Sequence, residues 1–171
     1  MGIANVVSAI LNSCDLRFFA KAANRNGTTG REYLKTSLCT YYGAFLNYSQ
    51  EYEKAQEFLL KGIELNPGHY LCQAEIAWSY YCLGEYEKCI EHSKLALQDK
   101  KNSKKLFYAR YNIALATLSL NKFQEAKSLY KRYRKINRKN GLEAAIQELK
   151  QLADNGKFVE EANYIISNIL N

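Results

Sequence analysis

The stretch "EYEKA" at residues 51–55 returns as "EYEKC" at residues 85–89. Its small residue, Ala55 in the first copy and Cys89 in the second, recurs after 34 positions. A fixed period of this size indicates an array of stacked structural repeats. The chain is therefore predicted to contain units that each bury one face against the next unit.

The period extends over three copies, at residues 36–69, 70–103 and 107–140. The third copy is offset by 37 positions rather than 34, because three extra residues fall in the polar segment "DKKNSKK" at 99–105. Such an insertion in a loop leaves helix packing unchanged. Equivalent small and aromatic residues recur in the three copies: Gly43, Ala77 and Ala114; Ala55, Cys89 and Ala126; Tyr52, Tyr86 and Phe123.

Each copy is predicted to be two antiparallel helices joined by a short turn, at "YSQEY", "CLGEY" and "LNKFQ". The small residues allow the two helices to approach to roughly 8–10 Å. Gly84 and Asn121 lie where the first helix ends, a position that favours left-handed backbone. Pro67 ends the second helix of the first copy, since proline cannot continue a helix.

This pattern resembles the tetratricopeptide repeat, whose 34-residue unit reads W-x2-L-G-x2-Y, then A-x3-F, then P. The chain departs from that pattern at the tryptophan position, which holds Cys39, Gln73 and Arg110, and only the first copy has the closing proline. The resemblance implies an all-α fold, a right-handed α-solenoid of helical hairpins. It also implies a non-catalytic scaffold that binds another protein.

The flanking segments differ from the repeats. Residues 1–24 are predicted to form a helix that caps the stack, docks in its groove or swaps into a second copy, and 25–35 to be a linker and the start of the first repeat helix. Residues 141–171 are predicted to be a degenerate fourth hairpin, slipped by about one residue, that closes the stack. Its apolar stripes are Leu142, Ala145, Ile146, Leu149, Leu152 and Ala153, then Val159, Ala162, Ile166 and Ile169.

The resemblance places the first helix of each repeat along a binding groove. The residues carried over to that groove are Ser37, Thr40, Ala44, Asn47, Tyr48, Leu71, Ala74, Trp78, Tyr81, Cys82, Tyr108, Tyr111, Leu115, Leu118 and Ser119, with Tyr41, Glu75 and Asn112 at its edge. We predict that the partner is contacted by Tyr41, Tyr48, Leu71, Trp78, Tyr81, Tyr108, Tyr111 and Leu115.

The composition of this groove indicates the kind of partner. Members of the family that grip a chaperone's C-terminal carboxylate use Lys, Arg and Asn in this groove. Here the corresponding positions hold Thr40, Ala44, Ala74, Leu71, Tyr108 and Tyr111. An aromatic and aliphatic groove instead suits an apolar peptide or the apolar face of a helix. The alternative is that these rings pack against neighbouring repeats or against the chain's own N-terminal helix.

A basic stretch, "SLYKRYRKINRKN" at 128–140, is a second candidate contact surface. Its cations are Lys131, Arg132, Arg134, Lys135, Arg138 and Lys139. They are able to hold phosphates of nucleic acid or of an anionic membrane. The simpler interpretation is a solvated helix face, with Tyr130, Tyr133 and Ile136 forming the buried stripe of that helix.

The remaining patterns disfavour catalysis and cofactors. The 171 residues are 47% hydrophobic, which suits one domain, and no run is apolar enough for a membrane span. "NRNGTTGRE" lacks the spacing of a phosphate-binding loop, and the five cysteines show no CxxC pair or zinc pattern. His92 follows Cys89 by three positions, but Cys89 fills a packing position where a thiol is inert.

These patterns predict a protein of a reducing cytoplasmic compartment, peripheral to a membrane or a larger complex, with no signal peptide, cofactor or metal. The net charge of +7 favours acidic partners through long-range steering. In size and layout the chain also resembles bacterial secretion chaperones for translocator proteins, which is the alternative function within the binding class. Homo-oligomerisation is a further expectation.

Overall fold

The computed structural model describes residues 30–99, 106–137 and 141–170. These residues form helices and connecting turns, with no β-strand among them. The helices are α1 (Gly30–Tyr48), α2 (Tyr52–Leu65), α3 (Tyr70–Cys82), α4 (Tyr86–Leu97), α5 (Phe107–Ser119), α6 (Phe123–Asn137), α7 (Leu142–Asp154) and α8 (Val159–Ile165), which continues as a π-helical turn, Ile166–Leu170.

The predicted helix of residues 1–24, residues 100–105 of the polar connection and the cations Arg138 and Lys139 lie outside the described residues.

The helices pack in consecutive pairs, as the sequence period predicts. Each helix from α1 to α5 contacts the next one in the chain, and α7 contacts α8. The first helices of the pairs also contact one another, α1 with α3, α3 with α5 and α5 with α7. This arrangement is the one expected of a helical repeat, in which each pair covers the apolar face of its neighbour.

The same turn joins the two helices of all four pairs. Its backbone is left-handed at Gly84 (φ 79°) and Asn121 (φ 62°), as predicted, and also at Gln50 (φ 61°) and Gly156 (φ 73°). In each turn the residue after the left-handed one donates its N–H to a carbonyl five positions earlier. The four N···O distances are 2.9 Å from Glu51 to Leu46, 2.8 Å from Glu85 to Tyr80, 3.2 Å from Lys122 to Thr117 and 3.1 Å from Lys157 to Leu152.

This hydrogen bond defines a Schellman motif, which satisfies carbonyls that the helix end leaves without partners. The repeated turn therefore extends to the fourth hairpin, where the sequence pattern is weakest.

The small residues of the repeat lie where the helices are closest. Ala55, Cys89 and Ala126 are each 0% exposed. At Gly43 in α1, an added Cβ would lie 2.4 Å from Leu59 Cγ of α2, closer than any ordinary contact. The recurrence of small side chains at these places follows from this close approach of the helices.

Proline ends α2 as predicted, since the helix stops at Leu65, two residues before Pro67. A histidine then begins α3. His69 is its N-cap, and its Nδ1 accepts a hydrogen bond of 3.3 Å from the N–H of Cys72. A side-chain acceptor at this position satisfies one of the free N–H groups of the first turn.

The last hairpin differs from its predicted stripe at one end. Ala162, Ile166 and Ile169 are buried as expected, but Val159 is 42% exposed, so its assignment to the stripe is wrong. Ile165 and Leu170 are buried instead, at 0% and 1% exposure. The π-helical turn accounts for the burial of Leu170, because its hydrogen bonds join residues five apart and bring Leu170 onto the face of Ile165. Val159 is the first residue of α8, at the opposite end from this turn.

Candidate functional site

One stripe of residues recurs on the first helices of three successive pairs. On each helix it follows the spacing i, i+4, i+7 and i+11, which is one face of an α-helix. We call it the first-helix stripe: Ser37, Tyr41, Ala44 and Tyr48 on α1; Leu71, Glu75, Trp78 and Cys82 on α3; Tyr108, Asn112, Leu115 and Ser119 on α5. Because α1, α3 and α5 are neighbours, the stripe forms one surface that crosses three helices.

The exposure of this surface decreases from α1 to α5. On α1, Tyr41 is 55% exposed and Tyr48 is 89% exposed. On α3, Leu71 and Trp78 are half-buried. On α5, Leu115 is 1% exposed. The stripe is therefore open at Tyr41 and Tyr48 of α1, half-buried on α3 and closed at Asn112 and Leu115 in the middle of α5. Tyr108 and Ser119, nearer the ends of α5, are half-buried.

Two of the eight predicted contact residues, Leu115 of the stripe and Tyr111 beside it on α5, are buried. Tyr111 and Leu115 belong to the same core cluster as Leu149 of α7 and Ile165 of α8. The Tyr111 ring stacks with that of Tyr130, with 6.0 Å between centroids. Both residues thus lie in the interior rather than on an open wall, because the terminal hairpin shares its core with the third repeat.

The predicted partner-contact residues that are half-buried pack against neighbouring side chains. Trp78 stacks on Tyr81 with 5.3 Å between ring centroids and an interplanar angle of 20°. Tyr81 Oη lies 3.5 Å from Ser119 Oγ of α5. Tyr108 makes an edge contact with Phe107 at 5.8 Å. These contacts fix the orientation of the rings while leaving part of each ring accessible.

Phe45 is an exposed ring that the groove prediction omitted. It is 45% exposed and lies four positions after Tyr41 and three before Tyr48. The three rings form a row along one face of α1, and Phe45 also stacks with Tyr42 at 6.4 Å. Helical spacing alone identifies this row, but the family pattern gave Phe45 no role in the groove.

Glu75 is the acidic residue of the first-helix stripe, and a polar network holds it in place. Asn47 Nδ2 of α1 donates to the Glu75 carbonyl oxygen at 2.9 Å and lies 3.4 Å from its carboxylate Oε2. Asn47 Oδ1 in turn accepts from Ser79 Oγ at 2.6 Å. Burial raises the pKa of Glu75 above its ordinary value, and the hydrogen bond from Asn47 opposes that change.

A second carboxylate, Glu148 on α7, is half-buried, and no cation in the described part of the chain is among the causes that shift its pKa. Burial alone raises its pKa from 4.5 to about 7. Burial is the main cause of the raised pKa of Tyr81 and of Tyr130, and the negative charge of Glu148 is a further cause for both. Tyr130 Oη is itself buried without a hydrogen-bond partner among the described residues.

The basic stretch is exposed where the structure describes it. Lys131, Arg132, Arg134 and Lys135 are exposed on α6. Between them, Tyr130 and Tyr133 are 0% and 9% exposed, which confirms them as core residues rather than base-stacking groups.

The third member of that predicted stripe, Ile136, is 52% exposed, so its assignment to the core is wrong. Ile136 lies in the last turn of α6, beyond the part of the helix whose residues join the shared core.

A cavity of about 530 Å³ lies between α4, α5 and α6. Its apolar lining comes from Ile90, Leu97, Ile113, Leu129 and Tyr133, and its charged lining from Glu87, Lys94, Lys122, Glu125 and Arg132. The charges are of both signs, so this cavity has no strong preference for a cation or an anion. Large exposed rings such as those on α1 are absent from its lining.

The cysteine and histidine pair in α4 lacks the environment of a nucleophile. Cys89 is 0% exposed, as predicted, and burial raises the pKa of its thiol to about 12. His92 Nδ1 instead pairs with Gln73 Oε1 of α3 at 2.7 Å. Within residues 30–99, 106–137 and 141–170, no group of three or more His, Cys, Asp or Glu side chains is arranged to hold a metal ion.

No helix in the described part of the chain is both long enough and apolar enough to cross a bilayer. Neither a protein-family model nor a curated protein matches this chain.

Proposed function

We propose that this chain is a tetratricopeptide-like scaffold that binds an apolar segment of another protein on the open part of the first-helix stripe. The proposal rests on the exposure of Tyr41 and Tyr48, at 55% and 89%, which together with Phe45 form a row of exposed rings on α1. Exposed apolar surface concentrated on one element indicates an interaction site. Trp78 extends that surface onto α3.

The types of these side chains support protein binding over other activities. Tyrosine and tryptophan offer a large apolar area with one polar group and few rotatable bonds, and they dominate the energetically important positions of interfaces. The right-handed superhelix, the cytoplasmic setting and the chaperone-like role belong to this same proposal. Tyr111 and Leu115 are left out of the proposed contact surface because of their burial.

The test begins with the selection of short peptides from a random library on the immobilised full chain. Affinity is then measured through the fluorescence of Trp78, the single tryptophan of the chain. Combining Tyr41→Ser with Tyr48→Ser should weaken binding by roughly tenfold or more, as expected for interface anchors.

Ile136→Ser is the matched control, because it removes an exposed apolar side chain elsewhere, on α6. It should leave the affinity unchanged. Failure to select any peptide would contradict the proposed function. Equal losses of peptide affinity in the Tyr41/Tyr48 double variant and in Ile136→Ser would also contradict it.

The basic residues of α6 remain the basis of the alternative, binding to nucleic acid or to an anionic membrane. Their exposure is the observation in its favour. Binding through phosphates weakens steeply with added salt, whereas an apolar contact tolerates salt. Replacing Lys131 and Arg132 by glutamate should abolish any such salt-sensitive binding and leave peptide binding intact.

A further inference from the structure

The first-helix stripe has one charged side chain, and that side chain is acidic. Of its twelve residues, Glu75 is the only one of the Asp, Glu, Lys and Arg types. The whole chain has a net charge of +7, so the negative charge of Glu75 is opposite in sign to that of the protein. A partner segment lying along α1 and α3 would therefore meet rings, aliphatic groups and one carboxylate.

The carboxylate of Glu75 is fixed in position rather than free to swing into water. Asn47 contacts both its backbone carbonyl and its side chain, and Ser79 fixes Asn47 in turn. Asn47 and Ser79 are 5% and 0% exposed, so this support is part of the packed interior. A preorganised group loses little conformational entropy when a ligand arrives.

The surroundings of Glu75 favour an incoming cation. Leu71 and Trp78 lie four positions before it and three after it on α3, on the same helix face. Its charge contributes, after burial, to the raised pKa of Tyr108 on the neighbouring helix α5. No lysine or arginine among the described residues forms an ion pair with it. A half-buried carboxylate without a counter-charge is stabilised when one is supplied, and aromatic faces add to the attraction for a cation.

We propose that the first-helix stripe selects partner segments in which one lysine or arginine lies between apolar residues, and that Glu75 receives its charged group. This inference rests on the proposed function and specifies its ligand. The net positive charge of the protein disfavours basic ligands at long range. The selectivity therefore arises from the contact itself rather than from steering.

The experiment compares peptide selection on the full-length wild type and on Glu75→Gln. The glutamine keeps the size of the side chain and an oxygen that accepts from Asn47, so the fold is retained. Wild type should enrich peptides with a basic residue flanked by apolar ones, and Glu75→Gln should enrich the apolar residues only. Glu53→Gln, at an exposed position on α2, is the matched control and should select the same peptides as wild type.

Affinities of one selected peptide give a quantitative check. Replacing its lysine or arginine by methionine should weaken binding to wild type by roughly tenfold or more, the effect expected of a desolvated charge pair. The same replacement should change binding to Glu75→Gln by less than about threefold, because no charge pair remains to be lost.

The possible outcomes separate the two proposals. Apolar peptides selected without a basic residue would overturn this inference and leave the proposed function standing, whereas no selected peptide would overturn both. A basic preference that persists in Glu75→Gln would also overturn it. Sedimentation equilibrium tests for a second copy as the occupant: a wild-type dimer that dissociates in Glu75→Gln would assign Glu75 to self-association and contradict the proposal.

Discussion

Ser79 of α3 donates a hydrogen bond of 2.6 Å to Asn47 Oδ1 of α1, which joins the first two helical pairs inside the protein. The amide group of Asn47 completes the link by donating to the carbonyl oxygen of Glu75 at 2.9 Å. Buried polar side chains are stable only when their hydrogen bonds are satisfied. The stacking of these two pairs therefore depends on a specific polar link as well as on apolar packing.

Asn47→Ala is expected to lower the free energy of unfolding by roughly 2 to 3 kcal/mol, because it removes several hydrogen bonds and leaves buried partners unsatisfied. Ser79→Ala should cost only about 1 kcal/mol. Urea denaturation followed by circular dichroism measures both values. Equal, small effects of the two substitutions would show that the link contributes little to stacking.

Protonation of His69 is expected to destabilise the protein. Burial lowers its pKa below the ordinary value of 6.5, and its Nδ1 must be unprotonated to cap α3. Below that value the unfolded chain binds more protons than the folded chain, so stability falls as pH drops through the folded-state pKa. The stabilisation that neutral His69 provides is therefore fully present above 6.5, the pKa of histidine in the unfolded chain.

The measurement is the melting temperature of wild type and His69→Asn between about pH 5 and pH 8. Asparagine also caps helices, so the variant keeps an acceptor that does not titrate there. The difference between the two proteins should shrink or reverse as pH falls. Parallel pH profiles would contradict the assigned role of His69, since the other histidine, His92, titrates in both proteins.

Ionisation of Glu148 is expected to destabilise the protein as pH rises, whereas protonation of His69 destabilises it as pH falls. Its pKa rises from 4.5 to about 7 on burial, so the folded state favours the protonated form. The stability that this provides is complete below pH 4.5 and is lost as pH rises through about 7. Glu148→Gln should therefore be more stable than wild type at pH 8, by roughly 2 to 3 kcal/mol.

The check is chemical denaturation of wild type and Glu148→Gln at pH 4 and pH 8. The two proteins should have similar stability at the lower pH, where both side chains are uncharged. A variant that is less stable at both values would mean that the carboxylate has a stabilising partner.

The close approach of α1 and α2 predicts a specific sensitivity at Gly43. Alanine is a better helix former than glycine by about 1 kcal/mol, yet its Cβ would lie 2.4 Å from Leu59 Cγ. The overlap should dominate, and Gly43→Ala is expected to destabilise the protein by roughly 1 to 3 kcal/mol.

Gly68→Ala is the matched control, because the nearest atom to its added Cβ is 3.7 Å away. Its effect on the melting temperature should be small. If Gly43→Ala raised the melting temperature instead, helix propensity would outweigh packing at this site.

The period of the sequence predicted the helical pairs and their turns because small residues and turn residues are constrained by local geometry. Ala55 and Cys89 recur since the helices touch there, and Gly84 and Asn121 recur since the turn needs left-handed backbone. Gln50 adopts the same conformation without a sequence signal, because the Schellman hydrogen bond is made by the backbone rather than by the side chain.

The exposure of the candidate site was less predictable. Tyr41, Trp78 and Leu115 lie on the same stripe, but their exposure depends on which elements cover each helix. The cover over Leu115 involves α7 and α8, whose π-helical end follows no repeat pattern. Hydrogen bonds between residues far apart in the sequence, such as those of Asn47, also produce no repeating sequence pattern from which they could be predicted.

Binding of a partner segment along α1 and α3 is tested by locating a bound peptide on the protein. A selected peptide carrying a nitroxide spin label is added to the isotope-labelled full chain, and paramagnetic broadening of amide and indole signals is measured by NMR. We predict that the indole N–H of Trp78 and the amides around Tyr41 and Tyr48 broaden most. Broadening confined to α4, α5 and α6, or spread evenly over the protein, would contradict it.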